Sequence, residues 1–286
     1  MGWYPQRGDQ VVDRSGTHFV LGDPVAPPGG QGIVYATQAE GAAVKISTDQ
    51  GRTLRAEDIE RQIRQVARLP ITDLPVALPR HTLMDPDVGY TMSLLTGMTS
   101  AGALVRRPSV EKLAVWYRET GGLRKRLAVI ENLAEILASL HARGLVYGDL
   151  SGNNVLVSAH ADRARVFLID LDNLRTADAP SSGFFTPPYG APEQASLGSS
   201  QHTDRFSLAV LAFSVLVAGN PFYGTLLDSL PPEDYQRRPY SSVGCWIDDP
   251  EDDSNRWTAV MPRALVVSPR MTGLFRRTFC VGRTEP

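Results

Sequence analysis

The segment Tyr147-Gly-Asp-Leu-Ser-Gly-Asn-Asn-Val-Leu156 constrains this chain more than any other stretch. It places a carboxylate, Asp149, five residues ahead of an amide, Asn154, at the entrance to an apolar run. A carboxylate there can orient a hydroxyl and accept its proton, and an amide oxygen can hold a cation. D-x-x-x-x-N arises by chance in many chains. The pattern gains weight only from the segments that accompany it, in order along the sequence.

Upstream lies Pro27-Pro-Gly-Gly-Gln-Gly-Ile-Val-Tyr35. Laid on G-x-G-x-x-G-x-V, it puts Gly29, Gly32 and Val34 in register, with Gly30 beside them and Pro27 at the first glycine position. Glycines let a backbone approach phosphates closely. By itself the segment also reads as an ordinary Gly/Pro turn. Eleven residues after Val34 comes Lys45, in Ala43-Val-Lys-Ile46. Only three lysines (45, 112 and 125) stand among 29 basic residues. In so arginine-biased a chain, a lysine inside an apolar strand is poorly explained as a solvated charge. Ile59, Ile63, Val66 and Leu69 recur at helical spacing and predict a helix over Arg52–Leu69. That helix carries Glu57 and Glu60. Glu60 is the expected partner of Lys45; the plain alternative is an i,i+4 pair with Arg64.

Downstream, Val166-Phe-Leu-Ile-Asp-Leu-Asp172 ends an apolar β-run in Asp170, with a second carboxylate, Asp172, two residues on. Thr186-Pro-Pro-Tyr-Gly-Ala-Pro-Glu193 follows. Asp204 then opens an apolar helix that is too short to span a bilayer and reads as buried core.

Six motifs in this order resemble the protein-kinase superfamily, from about Val20 onward. The closer likeness is to bacterial, eukaryotic-like Ser/Thr kinases with a G-D-L-S-x-x-N loop and a D-x-D metal motif. The resemblance implies an α+β, bilobal fold with a small β-rich N-lobe and a larger, mainly helical C-lobe. It implies transfer of the ATP γ-phosphoryl group to Ser/Thr hydroxyls of a protein. Asp149 is then the catalytic base, and Lys45, held by Glu60, positions the α/β-phosphates. Asn154 and Asp170 are magnesium ligands. Val34, Ala43, Met92 and Leu156 flank the adenine, and Ser93, Leu94 and Leu95 form the hinge. Asp204 is expected to support the catalytic-loop backbone, and His141 to be structural. The chain departs from the family at Pro27, Arg64, Ser151, Leu171 and Asp172. Those departures keep two rivals in play: a nucleotide-binding pseudokinase, and a small-molecule phosphotransferase of the aminoglycoside-kinase type.

Composition agrees. At 286 residues the chain is long enough for one bilobal catalytic domain. A net charge of −2 gives no reason to expect nucleic acid or an anionic membrane as partner. Two cysteines, Cys245 and Cys280, make neither a disulfide framework nor a metal set, which suits a reducing, cytoplasmic setting. Residues 1–19 read as a leader and 20–95 as the N-lobe with its hinge, Val76–Leu78 and Gly89–Leu95 being strands. Residues 96–286 read as the C-lobe. The resemblance implies an arginine partner for Glu193 that is missing before Pro286, so the C-lobe reads either as truncated before its last helix, with a C-terminal accessory domain in a longer parent, or as a short natural version.

Overall fold

The computed structural model describes residues 5–26, 32–47, 56–106, 109–179 and 185–280. The chain divides into two compact units, Met1–Thr96 with Ile169–Asp172, and Gly97–Leu168 with Asn173–Pro286.

The first unit is built on a five-stranded antiparallel sheet in sequential order: β1 (Gln10–Val12), β2 (His18–Pro24), β3 (Gly32–Thr37), β4 (Ala42–Ser47) and β5 (Gly89–Ser93). Strand side chains alternate between faces. Val44 and Ile46 of β4 join Val11, Phe19, Leu21, Ile33, Tyr35 and Leu83 on one face. Ala43 turns to the other face, where it packs with Ile63, Tyr90 and Met92. Ile63 comes from helix α1 (Ala56–Ala67), so the helix covers the face that also carries Lys45. Both sides of β4 are therefore covered, and Ala43 through Ile46 are all buried.

Two expectations need correction. The stretch read as a leader supplies a strand, Gln10–Val12, paired with His18–Val20. Val76–Leu78 is not a strand of the sheet; Val76 makes a lone bridge, and its N–H bonds locally to the Leu74 carbonyl. A segment rich in small turns can satisfy its backbone locally without joining a ladder.

In the second unit, β6 (Met98–Ser100), β8 (Val155–Ser158) and β9 (Val166–Leu168) form a small antiparallel sheet, and β7 (Leu145–Val146) pairs with β10 (Arg175–Thr176). Around them run α2 (Leu113–Glu119), α3 (Gly122–Ala142), α4 (Gln194–Leu197) and α5 (Gln201–Val217). Helix α5 starts from a capping box: Ser200 accepts from the His202 and Thr203 N–H groups, and the Thr203 hydroxyl accepts from the Ser200 N–H. Its buried residues face an aromatic cluster of Phe206, Phe213, Phe222, Trp246, Phe275 and Phe279. Arg126 of α3 is fully buried. It stacks on Tyr117 and donates to the Tyr117, Gly122 and Val215 carbonyls and the Thr120 hydroxyl. Burial lowers its pKa to about 10, which keeps it charged near neutral pH. Among the described residues no helix is long and apolar enough to cross a membrane.

Gly89 opens β5 directly against the strand that carries Lys45. A Cβ there would lie 2.0 Å from the Lys45 carbonyl oxygen, a backbone atom that cannot swing aside. Gly89→Ala should therefore destabilise the first unit by about 1–3 kcal/mol, as other overpacking changes do. Urea unfolding would show a lower midpoint; an unchanged midpoint would contradict the close approach.

Candidate active site

The first unit gathers its charges around Lys45, which is 4% exposed. The register of the sheet sets Val34 and Tyr90 directly opposite Lys45 on either side. The Lys45 amine donates to Asp170 and, at 2.6 Å, to Asp172 Oδ2. The Tyr90 hydroxyl donates to Asp172 Oδ1 at 2.9 Å. Burial works against the charged ammonium, but Asp172 and Asp170 outweigh it and hold the amine's pKa above its ordinary value. Asp170 has φ +57, a left-handed conformation that aspartate tolerates better than most residues. A single 3₁₀ turn, Leu171–Asn173, follows it, with Leu171 buried. The bend brings two carboxylates spaced two apart onto one amine.

Glu60 is not the partner of Lys45, contrary to expectation. It is paired with Arg14, and with Arg64 at 3.1 Å, and accepts from the Thr82 hydroxyl at 3.3 Å. Partial burial pushes its carboxyl pKa up, yet Arg14 and Arg64 hold it below the usual range. The physical reason is competition. Two guanidinium groups surround Glu60, while the lysine already has two carboxylates. The Arg64 pairing is readable from i,i+4 spacing. Arg14 lies 46 positions away and gives no sequence signal.

Several of the residues expected around the adenine lie on this sheet. Val34 and Leu94 pack against the cluster of Ala43, Ile63, Tyr90 and Met92. Of the hinge residues, Leu94 already gives its N–H to the Gly41 carbonyl, and Ser93 accepts from Arg80. Gly32 begins β3, whereas Pro27, Gly29 and Gly30 lie outside the described residues.

In the second unit the loop after β7 holds Asp149, 8% exposed. The Thr186 hydroxyl donates to Asp149 Oδ1 at 2.8 Å. The Asn154 amide donates to Asp149 Oδ2 at 3.1 Å and to the Asp149 carbonyl at 2.9 Å. With its nitrogen so engaged, Asn154 has its amide oxygen left to offer a cation, which suits a metal ligand. Leu156 lies on β8, opposite Ser100 and Phe167.

Asp204 underpins this loop. Its two oxygens accept from the N–H groups of Tyr147 and Gly148, both at 2.8 Å, and His141 Nε2 lies 3.0 Å from Oδ2. His141 thus has a structural neighbour, as its place at a helix end suggests. Gly148 has φ +87, where a side chain would be strained. Gln194 donates to the Gly148 carbonyl at 2.8 Å. Nothing in the sequence singled out that residue beyond its place after the A-P-E segment. The buried Ser151 hydroxyl has no hydrogen-bond partner among the described residues. Among the described residues no three His, Cys, Asp or Glu side chains cluster as a metal cage.

Comparison with known proteins agrees with this geometry. A model of the lipopolysaccharide kinase (Kdo/WaaP) family matches residues 107–181. Serine/threonine-protein kinase pkn2 of Myxococcus xanthus is 36% identical over 112 residues, 36% of this chain and 13% of that protein. Serine/threonine-protein kinase AfsK of Streptomyces coelicolor is 31% identical over 218 residues, 74% of this chain and 26% of that protein. The solved structure of vaccinia related kinase 3 superposes with a TM-score of 0.65 at 17% identity, covering 98% of this chain and 87% of that one. The fold is bilobal α+β and kinase-like, and the chain belongs to the protein-kinase superfamily. It spans from about an eighth to a quarter of the length of these curated relatives (13% and 26%).

Asp204→Ala would leave the Tyr147 and Gly148 N–H groups buried without an acceptor. Each such group costs about 1–3 kcal/mol. The variant should melt several degrees lower, and amide hydrogen exchange at 147–148 should quicken; unchanged exchange would contradict the supporting role.

Proposed function

We propose that this chain is the catalytic domain of an ATP-dependent protein kinase that phosphorylates serine or threonine hydroxyls. The single observation that carries the reading is Asp149. It is held by Asn154, backed by the Asp204-anchored loop, and hydrogen-bonded to Thr186 of the A-P-E segment. Thr186 shows that a threonine-like hydroxyl can reach the carboxylate at 2.8 Å.

In the reaction, Asp149 orients the acceptor hydroxyl and takes its proton. The hydroxyl oxygen bonds the γ-phosphorus as the bond to the β,γ-bridging oxygen breaks, and ADP leaves. Lys45 holds the α/β-phosphates. Val34, Ala43, Met92, Leu94 and Leu156 offer apolar surface to the base. Asn154 and Asp170 would hold a magnesium ion, which would supply positive charge against the phosphates. The protein's contribution is positioning and electrostatics. The partner is a protein substrate, and the setting is cytoplasmic.

A second reading is favoured by the family-model match, which covers Asp149, Asn154, Asp170 and Asp172 and whose family is described as lipopolysaccharide kinases. It would place a sugar hydroxyl at Asp149. Against it, Thr186–Glu193 lies beyond the matched residues and resembles the peptide-side segment of protein kinases. Incubation with labelled ATP and magnesium, offering a generic protein or lipopolysaccharide, separates the two. Label in protein supports the first reading and label in the glycolipid the second. ATP binding without transfer would overturn both.

Asp149→Asn keeps the shape but cannot accept the proton. Turnover should fall by about 10²-fold or more, while ADP affinity stays within about twofold, as expected for an interaction made only in the transition state. Retention of more than about a tenth of wild-type turnover would remove Asp149 from the role assigned by general-base chemistry.

Activity should not require phosphorylation of the segment after Asp170. Gly148 offers no cation beside Asp149. Arg175, one of the alternatives with Arg143, donates to the carbonyls of Ala179 and Ser199. The candidate phosphate acceptors, Ser181 and Ser182, lie outside the described residues. A dephosphorylated Ser181→Ala/Ser182→Ala variant should work at close to the wild-type rate. A collapse, with wild type restored by prior phosphorylation, would reveal a phosphate switch.

A further inference from the structure

We propose that Asp172 is the positioning residue for Lys45, in the part that the sequence pattern assigned to Glu60. The inference rests on the reading of Lys45 as the phosphate-holding lysine.

Three observations carry it. First, both oxygens of Asp172 are engaged by donors of the same unit, Oδ2 by the Lys45 amine at 2.6 Å and Oδ1 by the Tyr90 hydroxyl at 2.9 Å. A carboxylate with a donor of the same unit on each oxygen is held in place as a tether, with one lone pair fewer on each oxygen for any other partner. Second, the tether is built into the sheet. Lys45 and Tyr90 are direct cross-strand partners on β4 and β5, so the amine and the hydroxyl that clamp Asp172 are held side by side. Tyr90 is itself only 1% exposed, and the lysine amine lies 5.8 Å from its ring centroid. Third, Glu60 is committed to Arg14 and Arg64.

The two carboxylates then divide the work. Asp170, in its left-handed conformation at the end of an apolar strand, is the one suited to a magnesium ion. Were it to serve the metal, Lys45 would keep a counter-charge in Asp172. A buried ammonium deprived of every carboxylate would be strongly disfavoured. The departure from D-x-G to D-x-D thereby acquires a purpose. It anchors the lysine through the metal-motif segment, and the position of helix α1 ceases to matter for it.

The chain's three lysines make the test direct. Brief acylation with an N-hydroxysuccinimide ester, without nucleotide, would be followed by peptide mass spectrometry. Exposed Lys112 serves as the reference and buried Lys125, in the other unit, as a check on global unfolding. In Asp172→Asn, Lys45 should label about tenfold faster, the scale of losing one charge-assisted bond, with Lys112 and Lys125 unchanged. Tyr90→Phe, a milder change, should raise the Lys45 rate by about twofold, and Glu60→Gln should leave it unchanged. ADP binding in EDTA supplies the second readout. Asp172→Asn should weaken it by about tenfold in the wild-type background and not at all in a Lys45→Met background, because the two residues act as one unit. A metal-ligand role would give the opposite pattern, normal affinity in EDTA and loss only with magnesium, and would overturn the proposal. So would unchanged Lys45 labelling in both Asp172→Asn and Tyr90→Phe, or faster labelling in Glu60→Gln. If the wild-type chain bound no ADP at all, the kinase reading would fall, while the labelling rates would still decide whether Asp172 holds Lys45.

Discussion

A buried ammonium sets the terms for the first unit. Lys45 sits in a strand covered on both faces, and a charge taken out of water is tolerated only with partners close at hand. Asp170 and Asp172 are those partners, and they come from 125 and 127 positions further along the sequence. Residues Ile169–Asp172 accordingly cluster with the first unit although the strand before them belongs to the second. The left-handed Asp170, the buried Leu171 and the hydroxyl of Tyr90 all serve that one requirement.

The second unit solves a comparable problem with backbone groups. The sharp bend before Asp149 leaves two N–H groups without ladder partners, and Asp204 accepts both. Helix α5 holds Asp204 in its first turn, fixed by the Ser200 capping box at one end and by the aromatic cluster along its buried side. Catalytic geometry in this unit thus descends from a helix cap and a hydrophobic core. Gly148, with φ +87, completes the bend, and the same conformation excludes the bulky cation that would answer an activating phosphate.

Much of this was legible along the chain. The apolar run with helical spacing over 59–69 became α1 from Ala56 to Ala67, and the apolar stretch after Asp204 became α5. Asp204's place under the loop followed from the resemblance to protein kinases, which begin this helix with an aspartate. The readings that failed share a cause. Glu60 was matched to Lys45 by order along the sequence, and its capture by Arg14 depends on where the β1–β2 turn lies in space. Val76–Leu78 has strand-like composition, yet its backbone is satisfied by local turns. Gln194 and Arg126 matter through hydrogen bonds to carbonyls, and carbonyl acceptors are invisible to a pattern of side chains.

The sequence by itself determined the order of the chemical groups and, through the motifs that resemble the protein-kinase superfamily, the class of fold. Those depend on residue type and on period along the chain, which a one-dimensional record preserves. Which carboxylate holds the lysine was decided only by the tertiary structure. Lys45 and Asp172 are 127 positions apart. Their pairing results from sheet register, a left-handed bend and the prior commitment of Glu60, and each of these is a distance between residues that spacing along the chain does not encode.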